Sequence, residues 1–336
     1  MACLVAGAIL ALSGITSGAR IPVETLRSTG KLPARLIENI ENPRAYVETS
    51  RGVALVLDAG AQAIYAIDAA RTTTRRIVQV GTEPGHLMSP SGFSLGPNDV
   101  FAVTDQPGAY ARVQHFGDDG RLISLFWQAS RPGLRLALGH MTMGGPGAMA
   151  FTGRNVLINA PAAGALINEF GANGEAIRSI GTLRATGQEA DRPLHHALNT
   201  GLPLVDPTGG FYFVFETGVP LFRKYDASGR LVFERHIEGP EVDGRLQSMP
   251  TRWPARAQDS DALPFTPGLI NTAAVDGTGH LWVSLGAGYT YVYDRQGDKV
   301  RVVQFEAGGP VLPTSLFFAK GNRLLVTPGC YEFQSR

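Results

Sequence analysis

The sequence predicts an all-β ring, a six-bladed β-propeller of four-stranded antiparallel blades. Three observations carry this. A short text recurs, in which an aromatic residue leads into a turn and then into an alternating strand. It reads "HFGDDGRLISLF" from His115, "EFGANGEAIRSI" from Glu169, "KYDASGRLVFERHI" from Lys224 and "VYDRQGDKVRVVQF" from Val292. Around each copy lie further strand-sized runs that complete a unit of four strands. Finally, Gly 41 and Pro 22 in 336 residues suit many turns and few helices.

The units follow in order. Arg44 to Val80 is the first, Ser89 to Phe126 the second, Gly147 to Ile180 the third, Gly201 to Ile237 the fourth and Ile270 to Phe305 the fifth. In the second unit the strands are Gly92 to Leu95, Val100 to Thr104, Ala111 to Phe116 and Leu122 to Phe126. Gly, Pro, Asn and Asp separate them, because those residues accept or stabilise turn backbone. A lone four-stranded sheet cannot cover its own faces, so the units stack around an axis. The sixth unit, from Pro313, stops near its third strand. The segment "ARLIENIENP" (Ala34 to Pro43) precedes the first unit as "RRIVQVGTEP" precedes the second. Arg35 to Ile40 is therefore expected to supply the missing outer strand and close the ring, removing an open seam.

Composition bounds the function. The chain is 44% hydrophobic and 18% charged with a net charge of +1, so it offers no strong field to nucleic acid or to an anionic membrane. Met1 to Ala19 holds an apolar run, Cys3 to Leu12, followed by the small residues Ser17, Gly18 and Ala19. That pattern is a signal peptide too short to span a bilayer comfortably, although its start carries no Lys or Arg. The expectation is a periplasmic or secreted protein with one propeller domain over residues 20–336. Removal of that segment leaves Cys330 alone and no internal disulfide. No Gly-rich phosphate loop, Cys-x-x-Cys pair, nucleophile elbow or H-E-x-x-H stands in the sequence.

The stretch "GHLMSPSGFSLGPNDVFAVTDQPGAYARVQHFGDDGRL" resembles an NHL repeat. That pattern runs G-x-F-x-x-P-x-G, then an apolar-V-x-D strand end, then R-V-x-x-F-x-x-x-G. The resemblance implies a six-bladed propeller over about Pro33 to Arg336. Propellers of this kind serve as binding platforms, lactonases, lyases and sensors, so the likeness implies no single activity.

In such a blade the first strand lines the channel, and its start shares a face with the end of the second strand. The starts bring Arg44, Ser91, Asn199, Asn271 and Thr314 to that face; the ends bring Asp58, Asp105, Asn159, Glu216, Ser284 and Thr327. Three long connections, Gln128 to Pro146, Gly181 to Ala197 and Glu238 to Pro267, emerge there too and are expected to roof a pocket. They carry Arg131, Arg135, His140, Arg192, His195, His196, Arg252, Trp253, Arg256, Asp259 and Asp261. One reading is a binding module, in which Arg44, Asn199, Asn271, Arg192, His195 and Trp253 hold a small anionic or polar ligand, or a protein segment, at the channel mouth. The alternative is a metal-dependent hydrolase or lactonase of the gluconolactonase-like class, with Asp58, Asp105 and Glu216 around Ca²⁺ or another divalent cation. Asp58 and Asp105 equally suit the capping of turns. His195 and His196, read as neighbours on extended chain, point apart and do not share a metal.

Overall fold

The computed structural model describes residues 21–129, 135–138, 141–143, 149–249, 252–257 and 262–335. Met1 to Ala19, where a signal peptide is expected, and the candidates Arg131, His140, Asp259 and Asp261 lie outside them.

Six antiparallel four-stranded blades follow one another along the chain, five as four-stranded sheets and the fifth as the core of a six-stranded one. Blade 1 is Pro43–Glu48, Ala54–Asp58, Ala63–Ile67 and Thr74–Val78. Blade 2 is Gly92–Leu95, Phe101–Asp105, Tyr110–Phe116 and Leu122–Ala129. Blade 3 is Met149–Thr152, Asn155–Ile158, Ala165–Phe170 and Ala176–Thr182. Blade 4 is Gly201–Val205, Phe211–Phe215, Leu221–Tyr225 and Leu231–His236. Blade 5 is Ile270–Val275, Leu281–Leu285, Thr290–Tyr293 and Lys299–Glu306. Blade 6 has Ser315–Ala319, Arg323–Thr327 and Tyr331–Gln334 as its first three strands. The second strands of blades 1, 2, 4 and 5 are buried at every position, since adjacent blades cover both their faces. Hence they read as mostly apolar runs rather than alternations, with the polar residues towards their ends. Aromatic residues join the blades: Phe222 of blade 4 lies 4.8 Å from Tyr293 of blade 5, centroid to centroid. Such a pair contributes about 1 kcal/mol beyond the area it buries.

The recurring turn has a physical reason. Its glycine, Gly120, Gly174, Gly229 or Gly297, takes a φ of 84–88°, which side chains resist. Each also abuts the outer strand of the preceding blade. A Cβ would come within 2.3 Å of Ile77 O at Gly120, 2.7 Å of Phe126 at Gly174, 3.1 Å of Ile180 at Gly229 and 2.8 Å of Phe233 at Gly297. One hairpin is written four times because it makes the same blade-to-blade joint four times. The acid before the glycine starts the turn, as when Asp294 Oδ1 accepts from Gln296 N and Asp298 N, both at 2.9 Å.

An N-terminal strand does close the ring, but Arg35 to Ile40 is not that strand. Gly30–Lys31 pairs antiparallel with Tyr331–Gln334, Gly30 opposite Glu332. Ala34–Ile37 is instead a turn of helix behind Pro33, with Leu36 buried. Leu36, Ile37 and Ile40 recur at helical spacing, and Pro33 suits a helix start because its missing N–H costs nothing there. The chain also anchors one blade earlier: Val23–Arg27 runs parallel along Lys299–Glu306 of blade 5. No helix among the described residues is long and apolar enough to cross a membrane.

Candidate functional site

The first strands enclose a cavity of about 390 Å³ on the axis. Its rim is polar: Arg44, Ser91, Thr200, Glu216, Asn271 and Thr314 line it. Arg44 and Glu216 are its charged residues, and Arg44 makes no hydrogen bond or ion pair among the described residues. A second guanidinium stands beside the rim, on the helical turn Asp243–Gln247. Asn271 Oδ1 and Arg245 Nη1 lie 3.5 and 3.7 Å from where a Cβ would sit on Gly286. Further along the same strands the lining turns apolar, with Phe93, Leu95, Phe151, Leu204, Val275 and Phe317. A polar floor would have continued the rim; the strands supply an apolar one instead.

Two of the candidate metal carboxylates serve the backbone. Asp58 is fully buried and accepts from Glu41 N, Asn42 N and Gly60 N, each at 2.9 Å. Asp105 is equally buried. It holds Arg112 in a two-pronged pair, Nε to Oδ1 at 2.9 Å and Nη2 to Oδ2 at 2.6 Å, and takes Met88 N at 3.0 Å. Arg112 in turn donates to Thr82 O and His86 O, pinning the chain that enters blade 2. Asp58 thus caps the turn that follows it at Gly60, whereas Asp105 is tied to Arg112 and to the chain before its blade rather than to the turn after it. Glu216 is the one of the three that lines the cavity. Among the described residues no three His, Cys, Asp or Glu side chains stand close enough to share an ion.

The long connections do meet. Arg135–Leu138 runs parallel to Phe265–Pro267, and Gly218 N donates to Pro267 O at 2.8 Å. Arg256 Nε pairs with Asp191 Oδ2 at 2.8 Å, joining the second and third connections. Trp253 packs against the buried cluster of Leu194, Ala197, Leu198 and Leu263. None of the described residues of these connections lines the cavity.

Their inner joint is Arg184, which sequence reasoning missed. Its guanidinium sits 4.3 Å from the Phe215 ring centroid and 4.5 Å from that of Trp253. Nη2 donates to Leu198 O at 2.9 Å and Thr217 O at 2.7 Å. Burial, with the nearby Arg223 charge, pushes its pKa down to about 9. No motif marks such an arginine; only the fold brings Phe215 and Trp253 to either side of it.

The remaining candidates divide. Asn199 does not reach the channel: its amide takes Arg184 N at 2.9 Å and donates to Arg184 O and His195 O. Trp253 covers Gly218, where a Cβ would meet its ring at 2.3 Å, and is likewise scaffold. Arg192 is exposed. His195 and His196 lie in the helix Arg192–Leu198, capped by Asp191, and not on extended chain. Their ring centroids are 6.0 Å apart. His195 Nδ1 is 2.7 Å from Thr186 Oγ1. Burial, aided by His195 and Arg192, lowers the pKa of His196.

The structure is similar in fold to virginiamycin B lyase from Staphylococcus aureus, with a TM-score of 0.53 and 9% identity over 90% of this chain and 87% of that one. It is also similar to a streptogramin B lyase, with a TM-score of 0.50 and 14% identity over 86% and 76%. No family model and no curated protein matches the sequence. The chain is thus a six-bladed propeller of the shape these lyases share.

Proposed function

We propose that the protein is a binding propeller that takes a ligand with an anionic or hydroxylated group at the mouth of its axial channel. The observation that carries this is Arg44, placed on the cavity rim without a partner among the described residues. A guanidinium held at a concave mouth favours carboxylate or phosphate. Asn271, Ser91 and Thr314 add hydrogen-bonding groups on the same rim, and Arg245 adds charge beside it. The hydrolase reading has less support. Asp58 and Asp105 are engaged by protein donors, which leaves Glu216 alone of its proposed ligands on the cavity. The extracytoplasmic setting belongs to the same proposal, on the Met1 to Ala19 pattern.

A thermal-shift screen of carboxylates, phosphates and sugars against the wild type and Arg44→Gln tests the reading. Anionic compounds should raise the melting temperature of the wild type and not of the variant, while the two unliganded proteins melt alike. Equal responses from both proteins would remove Arg44 from the site.

A further inference from the structure

We infer that the ligand is amphipathic, with its polar head at the rim and an apolar ring or chain lowered into the channel. This rests on the mouth being the binding site, and it names the class of molecule the whole cavity fits. Five of the six first strands change character in the same direction. Arg44 precedes Val47, Ser91 precedes Leu95, Thr200 precedes Leu204, Asn271 precedes Val275, and Thr314 precedes Phe317. Three or four residues of strand cover roughly 10–13 Å. That is the distance from head to tail.

The apolar part is open to the cavity. Phe93, Leu95, Phe151, Leu204, Val275 and Phe317 are only partly buried, although each lies on an innermost strand. Apolar surface left facing water is a free-energy reserve that a matching ligand recovers. The floor is also preformed. Phe93 stacks on Phe101 at 5.5 Å, and Phe151 stands edge-on to His115 at 5.9 Å. Phe151 also covers Gly96, where a Cβ would come within 2.6 Å of the ring. Rings held this way need no ordering on binding. A wholly polar ligand would leave this floor wet. A wholly apolar one would strip water from Arg44 and return no hydrogen bond. The cavity, at about 390 Å³, is in the range of small-molecule sites.

Calorimetric titration with acetate, butanoate, hexanoate, octanoate and 1-octanol tests the inference. Each added methylene should tighten carboxylate binding by up to about fourfold, and octanol should bind more weakly than octanoate. Arg44→Gln should weaken every carboxylate by a similar factor and leave the chain-length dependence intact. Val275→Thr, which keeps shape and adds a hydroxyl, should flatten that dependence while the head still binds. Binding of acetate through Arg44 with no gain from longer chains would overturn the inference and leave the mouth reading standing. Octanol binding as tightly as octanoate would overturn the assignment of the head. If neither the carboxylates nor octanol bind at all, the inference falls, and the mouth reading falls with it when phosphates and sugars also leave the melting temperature unmoved.

Discussion

Blades 2 and 4 each place an acid where the second strand ends, Asp105 as the last strand residue and Glu216 one residue further in register, and use it differently. Asp105 is fully buried and spent on Arg112 and Met88 N. Glu216 lines the axial cavity. The difference follows first from that one-residue offset, which turns successive side chains to opposite faces, and it goes with a difference in the chain that arrives at each blade. Before blade 2 it is short and irregular, with backbone N–H and C=O groups that need partners near the axis. The Asp105–Arg112 pair supplies both kinds: a carboxylate for Met88 N and a guanidinium for Thr82 O and His86 O. Before blade 4 the chain arrives as the helix Arg192–Leu198, and Asn199, Arg184 and Thr217 satisfy its end. Glu216, itself buried, lines the channel there.

The largest effect should come from breaking the buried pair. Asp105→Ala leaves the Arg112 charge buried without its partner and should cost roughly 3–5 kcal/mol in denaturant unfolding. Glu216→Gln should cost about 1 kcal/mol or less. Equal losses would end the distinction between the two acids. Next is Asn199→Ala, which strands buried backbone groups of the 184–199 connection and should cost about 1–3 kcal/mol. Binding at Arg44 should survive it, because Asn199 does not line the cavity. Loss of binding with stability intact would instead return Asn199 to the site.

How far the sequence shows this molecule depends on how far each feature repeats. The blades were legible because the aromatic and turn residues serve an identical joint each time, as at Gly120 and Gly229. The closing strand was misplaced by a few residues because Gly30–Lys31 is two residues long and carries no alternation to read. Val23–Arg27 buries only Leu26 at an outer edge, which leaves too faint a pattern. Arg44, Asn271 and Glu216 could be placed at the mouth because strand topology alone puts them there. Asn199 could not be excluded by that logic, since an amide turned inward to cap a helix and one turned toward a ligand have the same sequence. The phenylalanines of the floor read as ordinary core, because a strand's apolar residues do not announce that one edge meets an open channel.

The third strands extend the comparison to a smaller effect. His115 in blade 2 and Lys224 in blade 4 occupy the same place before the aromatic residue of the turn text. Lys224 has the buried Asp206 carboxylate as its partner and lies 3.9 Å from the Tyr212 ring centroid. His115 has no acid. Its Nε2 is buried without a hydrogen bond, and Phe126 and Phe151 flank the ring. Burial therefore lowers its pKa below the ordinary histidine value of 6.5. The sign of the consequence is fixed. Above pH 6.5 the ring is neutral both folded and unfolded, and contributes no pH dependence. As the pH falls from 6.5 towards the lowered folded value, the unfolded chain takes up the proton first, so stability drops. The slope can reach about 1.4 kcal/mol per pH unit at most for one proton. Unfolding free energies measured between pH 7 and pH 5 should show this decline, and His115→Gln should remove its share. An unchanged slope in the variant would mean that His115 takes up its proton as readily in the folded protein as in the unfolded chain. In that event the blade 2 position would be as well satisfied as Lys224, and the contrast between the two blades would be confined to Asp105 and Glu216.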